Sequence, residues 1–257
     1  MSAFPWTRWP ALPLLLLLPL ASQAASWQRV SSDTLKLSGA IDEGSLAEYT
    51  AVAQGGYRHL LLDSPGGLPS VAHAIAEDVT ARQADVTVTG DCLSACANYL
   101  AIAGRSLHVG CDALLGWHGS TLQPLAEDDI AELRRQGASD AFIQRYAGWH
   151  RAFSEREQHL YQHAGIDRAI LPDSVAVMAQ QGVAPETAVS FDFDELTGAL
   201  RTTSSTMAEL WLPPADVLAH YGFPAKDFEA CYTARHIDEL VKQRGYHFAY
   251  TTKALAK

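Results

Sequence analysis

The sequence predicts an α/β fold: a largely parallel sheet with helices packed on it, carrying a helical insertion in its second half. Three observations predict it. Short runs alternating apolar and polar residues with period two recur in turn with segments whose apolar residues fall at helical spacing. Glycine-containing turns stand at the junctions between them. From Leu125 to His163 the chain becomes richer in charge and keeps only the helical spacing.

The elements follow in order. Thr34 to Gly39 alternates as a half-buried strand does and ends at a glycine. Ser45 to Gln54 reads as a helix stopped by Gly55-Gly56, a typical left-handed C-terminal cap. His59 to Leu62 is a short apolar strand, and the turn Pro65-Gly66-Gly67 leads into a helix from Ser70 to Arg82. Asp85 to Thr89 is alternating and β-branched, while Cys92 to Ala103 is small and apolar and suits a buried helix ending at Gly104. Arg105 to Val109 and Ala113 to Trp117 are the next strands. Strand and helix in this alternation imply parallel pairing.

The insertion, about residues 125–165, carries Ile130, Leu133, Phe142, Tyr146, Trp149, Phe153 and Leu160 at helical spacing with a break near Gly137. Its aromatic stripe reads as ordinary core, with a partner surface as the alternative. Val175 to Gln181 reads as a further helix, Phe191 to Leu196 as a short acidic strand or loop, and Met207 to Leu212 as a late strand. Pro214 to His220 forms a helix ending at Tyr221-Gly222, and Asp227 to Arg244 lies in a helical tail of about residues 225–257.

The 257 residues accommodate one domain, expected over residues 25–257. Residues 1–24 read as a cleaved signal peptide, with an uncleaved anchor as the other reading: Arg8 precedes an apolar run from Ala11 to Leu20, and Ser22-Gln23-Ala24 offers small residues for cleavage. The run is shorter than the roughly 20 residues a spanning helix needs, so the expectation is an exported protein, periplasmic or secreted, without stable membrane insertion. A net charge of -10 argues against nucleic acid as a partner. Four cysteines, Cys92, Cys96, Cys111 and Cys231, favour at least one disulfide in an oxidising compartment, with three ways of pairing all four. Cys92-x3-Cys96 lacks a second ligand pair at zinc spacing, and neither a metal nor a cofactor is expected.

Three segments carry the chemistry: Ser64-Pro65-Gly66-Gly67, then Gly90-Asp91-Cys92-Leu93-Ser94-Ala95-Cys96, then Gly116-Trp117-His118. A serine hydroxyl needs a base within hydrogen-bond reach and donors for the oxyanion that its attack creates. Ser94 follows a strand and opens a helix, whose dipole would support an anion there. His118 ends a later strand, and a neutral imidazole is the commonest general base near pH 7. The Ala95 N–H and an N–H of the glycine turn, at Gly67, are the candidate oxyanion donors. Taken singly, each feature has an ordinary role as helix N-cap, plain turn or hydrogen-bonded histidine. Their order and spacing join them.

On these motifs the stretch from Leu35 to Pro124, with an echo from Met207 to Phe223, resembles the proteolytic subunit of the Clp protease and its relatives within the crotonase-fold group. Ser64-Pro65-Gly66-Gly67 resembles the family's oxyanion turn, Gly90 to Ala95 its nucleophile motif and His118 its catalytic histidine. The likeness is greatest to exported Clp-like proteins with a cysteine on each side of the serine. It implies a Clp-protease/crotonase-like fold of repeated ββα units, a serine peptidase and a homo-oligomer. The expected export departs from the family, since outside the cytoplasm no ATP-driven unfoldase would feed the site and peptides or unfolded chains would be the substrates.

The sequence departs from the family where a third, acidic residue is expected. Anchoring on Tyr221-Gly222 places that position near Thr206, and Ser204-Ser205-Thr206 holds no acid. Asp167, Asp173, Asp194 and Glu209 are substitutes that the pattern does not rank. Two other functions therefore stand beside the hydrolase: a non-catalytic binding or scaffold protein on the same fold, and an acyl-thioester hydrolase or isomerase using the same backbone donors. Cys92 and Cys96 are read either as small buried residues or as partners, one of them, for Cys111 or Cys231.

Overall fold

The computed structural model of the chain describes residues 26–120, 127–135, 137–182, 190–193, 200–204 and 209–256. The proposed leader, Asp194 and Thr206 lie outside them. No helix among the described residues is long and apolar enough to cross a membrane.

The structure is mixed α/β with a mostly parallel sheet, as the alternation predicts. Its first half runs β1 (Ser26–Arg29), β2 (Thr34–Ser38), α1 (Ser45–Ala53), β3 (His59–Ser64), α2 (Pro69–Arg82) and β4 (Asp85–Leu93), followed by a wide π-helical segment (Cys96–Leu100) and by β5 (Ser106–Val109) and β6 (Leu114–Gly116). Within the sheet the order is β1-β2-β3-β4-β5, with β6 also pairing with β4. Only the edge pair β1–β2 is antiparallel; β2, β3, β4, β5 and β6 pair in parallel. Leu35, Leu37, Leu60, Leu62, Val86 and Val88 alternate into one fully buried layer. Each contributes about 1.5–3 kcal/mol by leaving water.

One property of β4 positions everything that follows. Its first half, Asp85 to Val88, pairs with β5, and its last three residues, Asp91 to Leu93, pair with β6. The sequence predicts a helix from Cys92, and the structure corrects this: the strand continues through Gly90. A Cβ at Gly90 would lie 2.3 Å from Asp63 Oδ1, and that oxygen accepts the Asp91 N–H at 3.1 Å. The glycine is a close approach between strands, not the end of one. Arg244 and Tyr246 both bond Asp91 from the tail. As a result the C-terminal ends of β3, β4 and β6 lie side by side, the edge of a parallel sheet where ligands commonly bind.

The insertion forms α3 (Glu127–Arg135) and α4 (Asp140–Ala164), broken at Gly137 and capped by Ser139, whose hydroxyl accepts the Phe142 N–H at 3.2 Å. Phe153 and Leu160 are buried, whereas Phe142, Tyr146 and Trp149 are half-buried. Beyond lie α5 (Ile170–Gln180), an antiparallel pair β7 (Ser190–Phe193) and β8 (Leu200–Ser204), β9 (Glu209–Trp211), α6 (Ala215–Leu218), α7 (Ala234–Gln243) and β10 (Ala249–Thr251). The sequence overlooks β8 and also β1 and β10, short pieces that borrow their partners β2 and β9. The predicted tail helix also starts too early. Phe228 bridges to Val109, Cys231 is cross-linked, and Thr233 caps α7 through the His236 N–H.

Candidate active site

The candidate residues converge on the strand-end edge. Ser94 Oγ and His118 Nε2 are 2.6 Å apart, although 24 residues separate them in sequence. The approach follows from the sheet: the Ser94 N–H bonds Gly116 C=O at 2.8 Å, directly before the Trp117-His118 segment. Trp117 in turn exchanges both backbone hydrogen bonds with Trp211 of β9.

Ser94 sits at φ +55, in the left-handed region that a residue with a Cβ seldom occupies. Its sharp turn from strand to helix presents the hydroxyl at the sheet edge, the geometry of a nucleophile elbow. The helix it opens differs from the expectation. The described segment is five π-helical residues, too short for its dipole to support an anion at Ser94 as a full helix would.

The glycine turn packs directly on this elbow. A Cβ at Gly66 would stand 2.4 Å from Leu93 C=O, 2.8 Å from Ser94 Cβ and 2.9 Å from Ala95 N. With Gly66 at φ +92 and Gly67 at φ +143, only glycine serves at either position. Ile41 fixes the turn: its N–H bonds Gly66 C=O at 2.7 Å and its C=O accepts the Leu68 N–H at 2.8 Å. Gly66 N–H is committed to Ser64 Oγ at 3.1 Å. The intervening Gly67 N–H is directed away from Ile41 and has no acceptor among the described residues.

Burial lowers the His118 pKa, against a weaker upward influence from its own backbone, so the imidazole is neutral at pH 7 and able to accept a proton. No carboxylate among the described residues bonds it. The proposed acids among the described residues are engaged elsewhere or stand apart: Asp167 accepts the Ala169 N–H at 2.9 Å, Asp173 accepts the Tyr221 hydroxyl at 2.8 Å, and the buried Glu209 Oε2 has no hydrogen-bond partner among those residues.

The cysteines pair differently from the expected bridge to Cys111 or Cys231. Cys92 is joined to Cys96, with Cα atoms 5.1 Å apart, and Cys111 to Cys231, with Cα atoms 5.6 Å apart. The strand continuing through Leu93 and turning at Ser94 brings Cys96 back over Cys92, which the helical expectation hid. Both of these cysteines are 0% exposed and bracket the elbow. Cys111 and Cys231 meet Glu229 in a cluster of metal-type ligands, but their sulfurs form a disulfide and offer no thiolate.

Sequence reasoning missed Glu157. It is 0% exposed, and its carboxylate accepts from Tyr99, Ser120 and Arg168. The signal was present: an acid stands on the stripe of α4 between Phe153 and Leu160, where an apolar residue is expected.

No protein-family model and no curated protein sequence matches the chain. It is similar to an enoyl-CoA hydratase from Bacillus anthracis at 16% identity, over 37% of this chain and 50% of that one, with a TM-score of 0.29. It is likewise similar to a protein from Mycobacterium abscessus described as a probable enoyl-CoA hydratase/isomerase, at 9% identity over 36% and 48% of the two chains, TM-score 0.28. The chain spans about half the length of each. The mixed α/β class itself rests on the sheet order and register.

Proposed function

We propose that the protein is a serine hydrolase, a Clp-like peptidase exported from the cytoplasm and acting without an unfoldase. One observation carries the reading: Ser94 Oγ lies 2.6 Å from a neutral His118 Nε2 on a left-handed elbow packed against a glycine turn. Ser94 Oγ attacks a carbonyl carbon while its proton passes to His118 Nε2. The Gly67 and Ala95 N–H groups receive the oxyanion. His118 then returns the proton to the leaving amine, and a water activated by the same imidazole releases the acyl group. The pair works as a dyad, with no acid contacting it among the described residues.

The experiment is labelling of the folded, oxidised protein with a fluorophosphonate, the adduct being mapped by mass spectrometry. The expected adduct is on Ser94, with Ser94→Ala and His118→Ala unlabelled and peptide hydrolysis reduced at least about 10³-fold in each. A folded protein that never labels at Ser94 sinks the hydrolase. A second reading, acyl-thioester chemistry, draws on the same glycine turn and on the Gly67 N–H, which has no acceptor among the described residues and would polarise a thioester carbonyl without help from Ser94. Turnover of acyl-CoA thioesters that survives Ser94→Ala would favour it. If the chain neither labels nor turns over thioesters, the scaffold reading remains.

A further inference from the structure

We propose that Glu157 is a positioning residue that holds the Ser94–His118 pair in register by tying together the two segments that carry it. Its effect on rate rests on the hydrolase reading; its effect on geometry does not.

Glu157 Oε2 accepts the Tyr99 hydroxyl at 2.9 Å and the Ser120 hydroxyl at 2.8 Å. Tyr99 lies on the π-helical segment that follows Ser94, and Ser120 is two residues beyond His118. A single oxygen therefore spans the nucleophile side and the base side of the site. A second tie runs in parallel, from Asn98 Nδ2 to Gly119 C=O at 3.0 Å, and the Asn98 N–H itself bonds Ser94 C=O at 2.8 Å. With the side-chain contact of Ser94 and His118, the two segments are joined at three successive levels.

The charge is what allows this. A carboxylate only accepts, so all of its lone pairs are available to donors. Arg168 occupies Oε1, through Nε at 2.8 Å and Nη2 at 2.7 Å, and its Nη2 also donates to Ser154 Oγ at 3.0 Å. A buried charge is kept only where it is paired and hydrogen-bonded, and each donor here serves that end. A leucine would fill the same face of α4 beside Phe153 and Leu160, yet could tie neither hydroxyl. Glu157 has no hydrogen bond to Ser94 or His118, so it acts through Tyr99 and Ser120.

The test uses the full, oxidised protein and substitutions that remove one donor hydroxyl, Ser120→Ala and Tyr99→Phe, or neutralise the acceptor, Glu157→Gln. In Ser120→Ala and Tyr99→Phe, acylation of Ser94 by a fluorophosphonate slows about tenfold, and in Glu157→Gln about a hundredfold. The pH midpoint of acylation and the NMR signals of the His118 ring move with it, while thermal unfolding of Ser120→Ala stays close to that of the parent. Ser120→Thr, which restores the hydroxyl, restores both. If Glu157→Gln does not fold, the Ser120 variants decide. A Ser120→Ala protein with parental acylation and unmoved His118 signals overturns the proposal, as does slower acylation with the ring signals unchanged. Should the parent itself resist acylation, the hydrolase falls; displaced His118 signals in Ser120→Ala would still support the tie, and unmoved ones would overturn it.

Discussion

Two polar groups contact the segment His118 to Ser120, Ser94 at one end and Glu157 at the other, and they are built on opposite terms. The Glu157 carboxylate is fully enclosed and receives Tyr99, Ser120 and Arg168. The elbow at Ser94 is left short: its backbone is at φ +55, and neither the Gly67 N–H nor the buried Asn98 Oδ1 has a partner among the described residues. Satisfied groups fix backbone, and unsatisfied ones remain free to bind something else. The contrast places structural work in α4 and chemical potential at the strand ends.

Removing the satisfied group tests the contrast most severely. Glu157→Ala strands Arg168 and takes the carboxylate acceptor from the buried Tyr99 hydroxyl, so about 3–5 kcal/mol of stability should be lost, read as a lower denaturant midpoint. Glu157→Ala combined with Arg168→Leu should recover part of that loss, because no uncompensated charge remains. Equal losses in the single and double variants would show that the cluster is not held by its charge pair.

A smaller effect is expected from pH. Burial lowers the pKa of both His118 and His73, the latter against the Glu77 and Glu157 carboxylates and with the Arg156 charge acting in the same direction as burial. Their unfolded values lie near 6.5, so on acidification the unfolded chain takes up protons first. Stability from these groups is present above about pH 6.5 and is lost as pH falls through the lower, folded values. Unfolding midpoints at pH 5.5 and 7.5 should therefore diverge, and less so in His118→Gln. The acylation rate should already be on its plateau at pH 7, since the base is neutral there.

How much of this was legible in sequence depended on whether the cause was local. The three site segments were, because a glycine turn, a turn serine and a strand-end histidine follow the parallel strands β3, β4 and β6, and the pairing of β4 with both others brings their ends together. Gly90 misled because a glycine inside a strand looks like a stop; its cause, the Asp63 side chain, lies in the neighbouring strand. The Cys92–Cys96 pairing was hidden with it, since a helix from Cys92 would have set the two sulfurs on successive turns of a regular helix rather than across an elbow. Glu157 was visible as an acid on an apolar stripe, but its partners Tyr99, Ser120 and Arg168 are defined only by the fold.

The finest test addresses the strain itself. A left-handed residue with a Cβ costs about 1–2 kcal/mol, and glycine escapes that cost. Ser94→Gly also removes the hydrogen bond to His118, worth about 0.5–1.5 kcal/mol, so the net gain is about 1 kcal/mol or less. It should appear as a melting temperature raised by about 2–4 °C per kcal/mol, with labelling abolished. Ser94→Ala loses the same hydrogen bond and keeps the strain, so it should be less stable than Ser94→Gly by about 1–2 kcal/mol. That difference isolates the backbone. If the two variants melt together, the elbow holds no strain, and Ser94 owes its position to the Gly116 hydrogen bond and the Cys92–Cys96 bridge alone.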